Sequence, residues 1–185
     1  MSELVFFLEE PSAKEMLKSV LPQILPDTYI PRYVVFEGKQ DLEKRLPGKL
    51  KAWKSHGAKF VVMRDQDSGC CFIIKSNLVN ECRNSGKPDA LVRIACHELE
   101  SFYLGDLAAV AKSIGPNNLA EKQNRAKFRD PDKLSNASQE LKRIAPNYQK
   151  ISGSRDISKY LDITNNRSKS FNALISGVKR LVDES

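Results

Sequence analysis

The chain has 185 residues, 41% apolar and 29% charged, with a formal net charge of +7 from 30 Lys plus Arg against 23 Asp plus Glu. That size suits one domain with a real buried core. It contains no apolar run of the ~18 residues that a membrane span needs, and the basic balance admits a nucleic acid or another polyanion as partner.

The N-terminus "MSELVFFLEEP" meets acids at once and has no basic region, so it reads as a first strand, "LVFFL" (4–8), not as a signal peptide. "PSAKEMLKSVL" follows, with Ser12 and Glu15 in capping-box spacing and a buried stripe of Met16, Leu17, Val20 and Leu21. "YVVF" (33–36) is a second strand. Leu42, Leu46, Leu50 and Trp53 mark a helical face that Pro47 and Gly48 are expected to divide in two. "AKFVVM" (58–63) is a third strand, "IIKSNLVNECR" (73–83) a helix, and "ALVRIA" (90–95) a fourth strand. "HELESFYLGDLAAVAKSI" is helical with a break near Gly105. Residues 115–135 are polar and interrupted. "SNASQELKRIA", "RDISKYLD" and "SKSFNALISGVKRLV" complete the chain as helices. Strand and helix alternate in the first half, and the strands are near-continuous apolar runs. Both features point to an α/β fold with a mostly parallel sheet flanked by helices over residues 1–115, and a helical elaboration over 116–185 packed on the same domain. The cysteines Cys70, Cys71, Cys82 and Cys96 form no CxxC pair. They read as reduced thiols of a cytoplasmic protein, with no zinc site.

In a parallel sheet the site lies at the carboxyl ends of strands. Three of the four strands end in acids: Glu9 and Glu10, then Asp65 and Asp67, then Glu98 and Glu100. Residues two apart on an extended strand end point the same way, so Asp65 and Asp67 can face one cation. Mg²⁺ takes hard oxygen ligands, and one or two carboxylates with phosphate oxygens suffice. The plainer reading is a turn in which these aspartates bond backbone amides. Adjacent acids do not easily both turn inward. Glu9 is therefore chosen over Glu10 as the carboxylate that binds the cation or takes a proton from water, though residue type alone leaves Glu10 nearly as good. Either could simply favour the following helix N-terminus. Glu98 and Glu100 do not share a helix face, so only one is expected to reach the site. His97 reads as structural or exposed. In "APNYQKISGSRD", Lys150 could neutralise charge building on a leaving oxygen; the bland alternative is an exposed connector with Tyr148 packing locally. The chain has no P-loop, no GxGxxG and no GxSxG elbow.

Taken in order, these motifs resemble a family. "LVFFLEEPSAKEML" is similar to the opening of TOPRIM-like domains and "FVVMRDQDS" to their Asp-x-Asp element. From about residue 4 to 182 the chain resembles the bacterial proteins of domain-of-unknown-function family 4276, a TOPRIM-like group, through "HELESFYLGD", "FRDPDKLSNASQELKRI", "YQKISGSRDISKYLD" and "SFNALISGVKRL". The resemblance implies a TOPRIM-like core with Mg²⁺ or Mn²⁺ on Asp65, Asp67 and Glu9, and catalytic roles for Glu9, Glu100 and Lys150. Tyr148 and Gly153 match its late Tyr-x-Lys…Gly element. Glu10 stands where glycine is usual, and Ala13 where a second acid is common. The expected activity is metal-dependent hydrolysis of phosphodiester bonds in DNA or RNA, within a defence or mobile-element system. The alternative is a non-catalytic scaffold that binds nucleic acid or a partner ATPase. Self-association is open, and no membrane partner is expected.

Overall fold

The computed structural model describes residues 1–183. Four strands, β1 (Ser2–Leu8), β2 (Tyr29–Val35), β3 (Lys59–Asp65) and β4 (Leu91–Ala95), form one sheet in the order β2-β1-β3-β4. Every pairing is parallel, with Leu8 opposite Val35 and Met63, and Asp65 opposite Ala95. The expected sheet is therefore present, and β3 runs two residues further than the apolar run suggested, so that Asp65 is its last residue.

Helices cover both faces, as the unbroken apolar strands require. On one face Val5, Phe7, Phe60, Val62 and Val92 meet α2 (Lys39–Ala52) and α3 (Cys71–Asn84). On the other, Leu4, Phe6, Leu8, Val61 and Met63 meet α1 (Pro11–Val20) and the later helices α4 (Glu100–Leu104), α5 (Leu107–Ser113), α6 (Ala137–Ile144), α7 (Lys150–Ser158) and α8 (Lys169–Asp183). The helical half joins the core of that face, with α7 against α1, α6 against α4 and α8 against β4. Among the described residues no helix is long and apolar enough to cross a membrane.

Three local readings need correction. The capping box does not form. Pro11 opens α1 at the position where a missing N–H costs nothing, so Ser12 falls inside the first turn. Its hydroxyl donates to the Glu10 carboxylate, while Glu15 pairs with Lys18 at 2.8 Å and Arg155 at 2.6 Å. Pro47 does not divide α2, which runs unbroken through it because Leu42, Leu46 and Leu50 bury fully against the sheet. Helix α7 starts at Lys150, well before the expected Arg155. Gly153 sits inside it because the Tyr148 ring packs there. A Cβ at 153 would lie 2.4 Å from Tyr148 Cδ2. The expected break at Gly105 is present, and Asp106 caps α5 through a 3.0 Å bond from the Ala109 amide.

Candidate active site

Strand β1 connects through α1 to β2 on one side, whereas β3 connects through α3 to β4 on the other. The chain thus leaves the carboxyl ends of neighbouring strands β1 and β3 in opposite directions. A crevice opens at such a reversal, the usual ligand position in open α/β sheets. Glu9, Glu10 and Asp65 stand at this point.

Asp65 is the centre. Alternation along β3 puts it on the α1 face with Val61 and Met63, and it is 8% exposed. Burial pushes its carboxyl well above the ordinary aspartate range, and the charges of Glu10, Glu9 and Glu100 push it further. Glu100 is 1% exposed. Burial raises its pKa too, against the Tyr148 hydroxyl, which donates to it at 2.9 Å, and the Lys150 ammonium. Glu9 Oε2 accepts from the Asp65 amide at 3.1 Å and lies 3.8 Å from Arg64 Nε. Its pKa is also raised, chiefly by burial. Glu10 forms an ion pair with Lys150. Burial pulls the Lys150 ammonium down, but Glu10, Glu100 and Asp65 outweigh it and hold the pKa above the usual lysine value.

Asp67 is placed differently from the strand-end expectation. The Gln66 amide donates to Ala95 and the Asp67 amide to His97, both at 2.9 Å, and Asp67 adopts φ 54°. Aspartate is one of the few side-chain-bearing residues that tolerate this left-handed conformation. The turn sends its carboxylate to Lys39 Nζ at 2.8 Å, with Arg64 Nη2 at 3.9 Å. The strand alternation that would align the carboxylate of Asp67 with that of Asp65 therefore does not extend to residue 67. Among the described residues, no three acid, His or Cys side chains gather closely enough to enclose a metal ion. The donors nevertheless suit Mg²⁺ or Mn²⁺. They are carboxylate oxygens whose mutual repulsion a cation relieves, and such ions need only one or two carboxylates beside water and phosphate.

A family model described as domain of unknown function DUF4276 matches residues 8–179. The chain belongs to this family. Searches of curated proteins and of solved structures gave no match.

In this DUF4276 protein the structure brings Glu9, Glu10, Asp65, Glu100 and Lys150 to one end of the sheet. Asp67 stands at its edge. Glu98 turns away and caps α6 through the Ser138 amide at 2.7 Å, so Glu100 is the acid of that pair which reaches inward. His97 holds the loop, with Nδ1 2.8 Å from the Asp67 carbonyl. Glu10 stands in the cluster beside Glu9, since the charges of both bear on Asp65 and Glu10 pairs with Lys150. The Tyr148 segment is not an exposed connector. Tyr148 is 3% exposed and reaches Glu100. Sequence reasoning missed Arg64 altogether. It is 5% exposed, donates to the Asp65 carbonyl at 2.9 Å and to the Glu43 carboxylate, and is the main buried cation near Glu9. An arginine inside an apolar β3 run followed by an acid was the available signal. Several basic residues of the helical half are engaged by acids: Lys127 and Arg143 by Glu140, Lys133 and Lys169 by Asp130, Arg155 by Glu15.

Proposed function

We propose that this protein is a Mg²⁺- or Mn²⁺-dependent phosphodiesterase acting on DNA or RNA, built on a TOPRIM-like core. The observation that carries this reading is the position of Asp65. It is a buried carboxylate at the reversal of strand order, surrounded by Glu9, Glu10 and Glu100. Acids crowded and desolvated at such a place raise one another's pKa, a common property of sites that bind cations or move protons.

Asp65, Asp67 and Glu9 would hold the ion, Asp67 after exchanging its bond to Lys39. The chemistry a bound Mg²⁺ or Mn²⁺ supplies is polarisation of the scissile phosphate and activation of water. Glu9 keeps its orientation through the Asp65 amide, which fixes its carboxylate toward the ion or a water beside it. Glu100, fixed by Tyr148, helps keep Lys150 protonated, and Lys150 meets charge on the leaving oxygen. Exposed lysines and arginines would grip the backbone phosphates, and a role in a defence or mobile-element system with a partner ATPase is consistent with such an activity.

The test is cleavage of DNA and RNA panels with Mg²⁺ or Mn²⁺, wild type against the Asp65→Asn, Asp67→Asn double variant. Cleavage is expected to vanish in the variant, and unchanged activity would reject this site. Lys150→Ala is expected to lower the cleavage rate by roughly 10²-fold or more, the scale for a group meeting developing charge, while lowering nucleic-acid affinity little. Equal losses in rate and affinity would reduce Lys150 to a phosphate grip.

One observation favours the scaffold alternative: the Glu10–Lys150 ion pair already neutralises part of the acid cluster from within. Calorimetric titration with Mg²⁺, Mn²⁺ and Ca²⁺ separates the two. A pure scaffold shows no metal binding that the double variant loses.

A further inference from the structure

Phe72 stands apart from every other phenylalanine in the chain. The rest are exposed by 5% or less, whereas Phe72 is 80% exposed and Ile73 beside it 61%. Both lie in the first turn of α3, directly after the loop that carries Asp67. The helix does not need them as packing residues. Its core-facing stripe is Cys71, Ile74, Leu78 and Cys82 at spacings of three and four, and Phe72 and Ile73 fall off that stripe. Nor is the turn loosely placed. A Cβ on Gly69 would lie 2.8 Å from Ile74 Cδ1, and the Gln66 side-chain amide donates to the Gly69 carbonyl at 2.8 Å. The aromatic ring is thus presented from a tightly packed support at the carboxyl end of the sheet, directly after the loop that carries Asp67.

The surroundings narrow what could cover it. Helices α1, α2 and α3 each begin at this end of the sheet because each follows a parallel strand, and their N-termini add partial positive charge. Lys75, one helical turn along α3 from Phe72, is exposed and makes no ion pair among the described residues, whereas Lys39 at the start of α2 and Lys150 at the start of α7 are already paired with Asp67 and Glu10. An exposed aromatic with an unpaired ammonium one turn away, at the helix N-termini, matches a polyanion that carries flat apolar rings. An apolar protein surface would match the ring but not the charge.

We propose that Phe72 is a stacking platform for an unpaired base of a single-stranded nucleic acid whose backbone crosses the acid cluster, with Ile73 packing against the same nucleotide. The proposal rests on the phosphodiesterase reading and narrows its substrate to unpaired strands, since a base inside a duplex is already stacked on its neighbours. Stacking on an aromatic tolerates any base, so it confers strand preference without sequence preference.

The experiment is fluorescence anisotropy of dye-labelled mixed-sequence single strands, DNA and RNA, and of the matching duplexes, in EDTA so that no cleavage intervenes. Phe72→Ala is expected to weaken single-strand binding by roughly 5- to 100-fold and leave duplex binding unchanged. Phe72→Trp is expected to retain wild-type affinity. Wild-type single-strand affinity in Phe72→Ala, or a Phe72→Trp variant as weak as Phe72→Ala, overturns the proposal. So does a Phe72-dependent self-association in sedimentation with strand binding unaffected, which would make the patch a contact between copies of this chain. The two readings fail separately. Stacking that persists in a protein that cuts neither nucleic acid removes the phosphodiesterase; cleavage with unaltered Phe72→Ala binding removes the platform.

Discussion

Asp65→Asn should abolish metal-dependent cleavage and, at the same time, raise the melting temperature of the metal-free protein at neutral pH. The two effects have one origin. Burial and three neighbouring carboxylates hold the Asp65 pKa well above its ordinary value. The folded protein therefore binds this proton more tightly than the unfolded chain does. Its contribution to stability is fully present below the unfolded-state pKa, about 4, and is lost as pH rises through the raised folded-state value. Glu9 and Glu100, also raised, act in the same direction. Asparagine has the same shape, carries no charge, and keeps an oxygen for the backbone amide of Leu99 that bonds Asp65. A tenfold difference in proton affinity between the folded and unfolded chain is worth about 1.4 kcal/mol, and for a chain of this length each kcal/mol moves the midpoint by about 2–4 °C. Thermal melts from pH 5 to 8 should show the variant's advantage growing with pH. Mg²⁺ should then shrink the gap, because ligand binding stabilises only the protein that can hold it. A variant that melts below wild type throughout the range would show that the Asp65 charge is not under strain.

Gly153→Ala should destabilise the protein, although it replaces the poorer helix former with the better one inside α7. Propensity alone favours alanine by about 1 kcal/mol. The added Cβ, however, would stand 2.4 Å from Tyr148 Cδ2 and 2.7 Å from Cε2, and the ring is buried among side chains that leave it little room. Overpacking of this kind costs typically about 1–3 kcal/mol. Displacing the ring also withdraws the hydroxyl from Glu100, leaving a buried carboxylate without its side-chain donor. Urea denaturation should show the net loss, accompanied by slower cleavage. In a Tyr148→Leu background the same alanine should be neutral or stabilising, since the clash is gone. Additive losses in the double variant would place the problem elsewhere than at Tyr148.

What could be read from the sequence follows the physics of each signal. The four strands were legible because strands buried on both faces need unbroken apolar runs, and "LVFFL" and "KFVVM" are such runs. The acids beyond them were legible because carboxyl ends of parallel strands are where polar groups can gather. Their orientation was not. Alternation fixes side-chain direction only while the strand lasts, and β3 stops at Asp65, so the direction of Asp67 is decided by a left-handed turn tied to His97. Adjacency argues only that Glu9 and Glu10 do not easily both turn inward; it carries no trace of Lys150, the partner of Glu10 far along the chain. Pro47 misled because a local breaker lost to three buried leucines. Phe72 carries no signal of its own, because an exposed aromatic and a buried one look alike in a sequence.

The ion pair between Glu10 and Lys150 also bears on the order of folding. All four strands and every acid of the cluster lie within the first 100 residues, and the ammonium that pairs with Glu10 comes from α7, which packs on α1. During synthesis Glu10 emerges long before its ammonium partner. Joining α1 to α7 closes a loop across most of the chain, and the entropy of that closure must be spent before the contact returns anything. The ion pair is thus among the contacts with the largest closure entropy in the chain, and it depends on the docking of α7 onto α1.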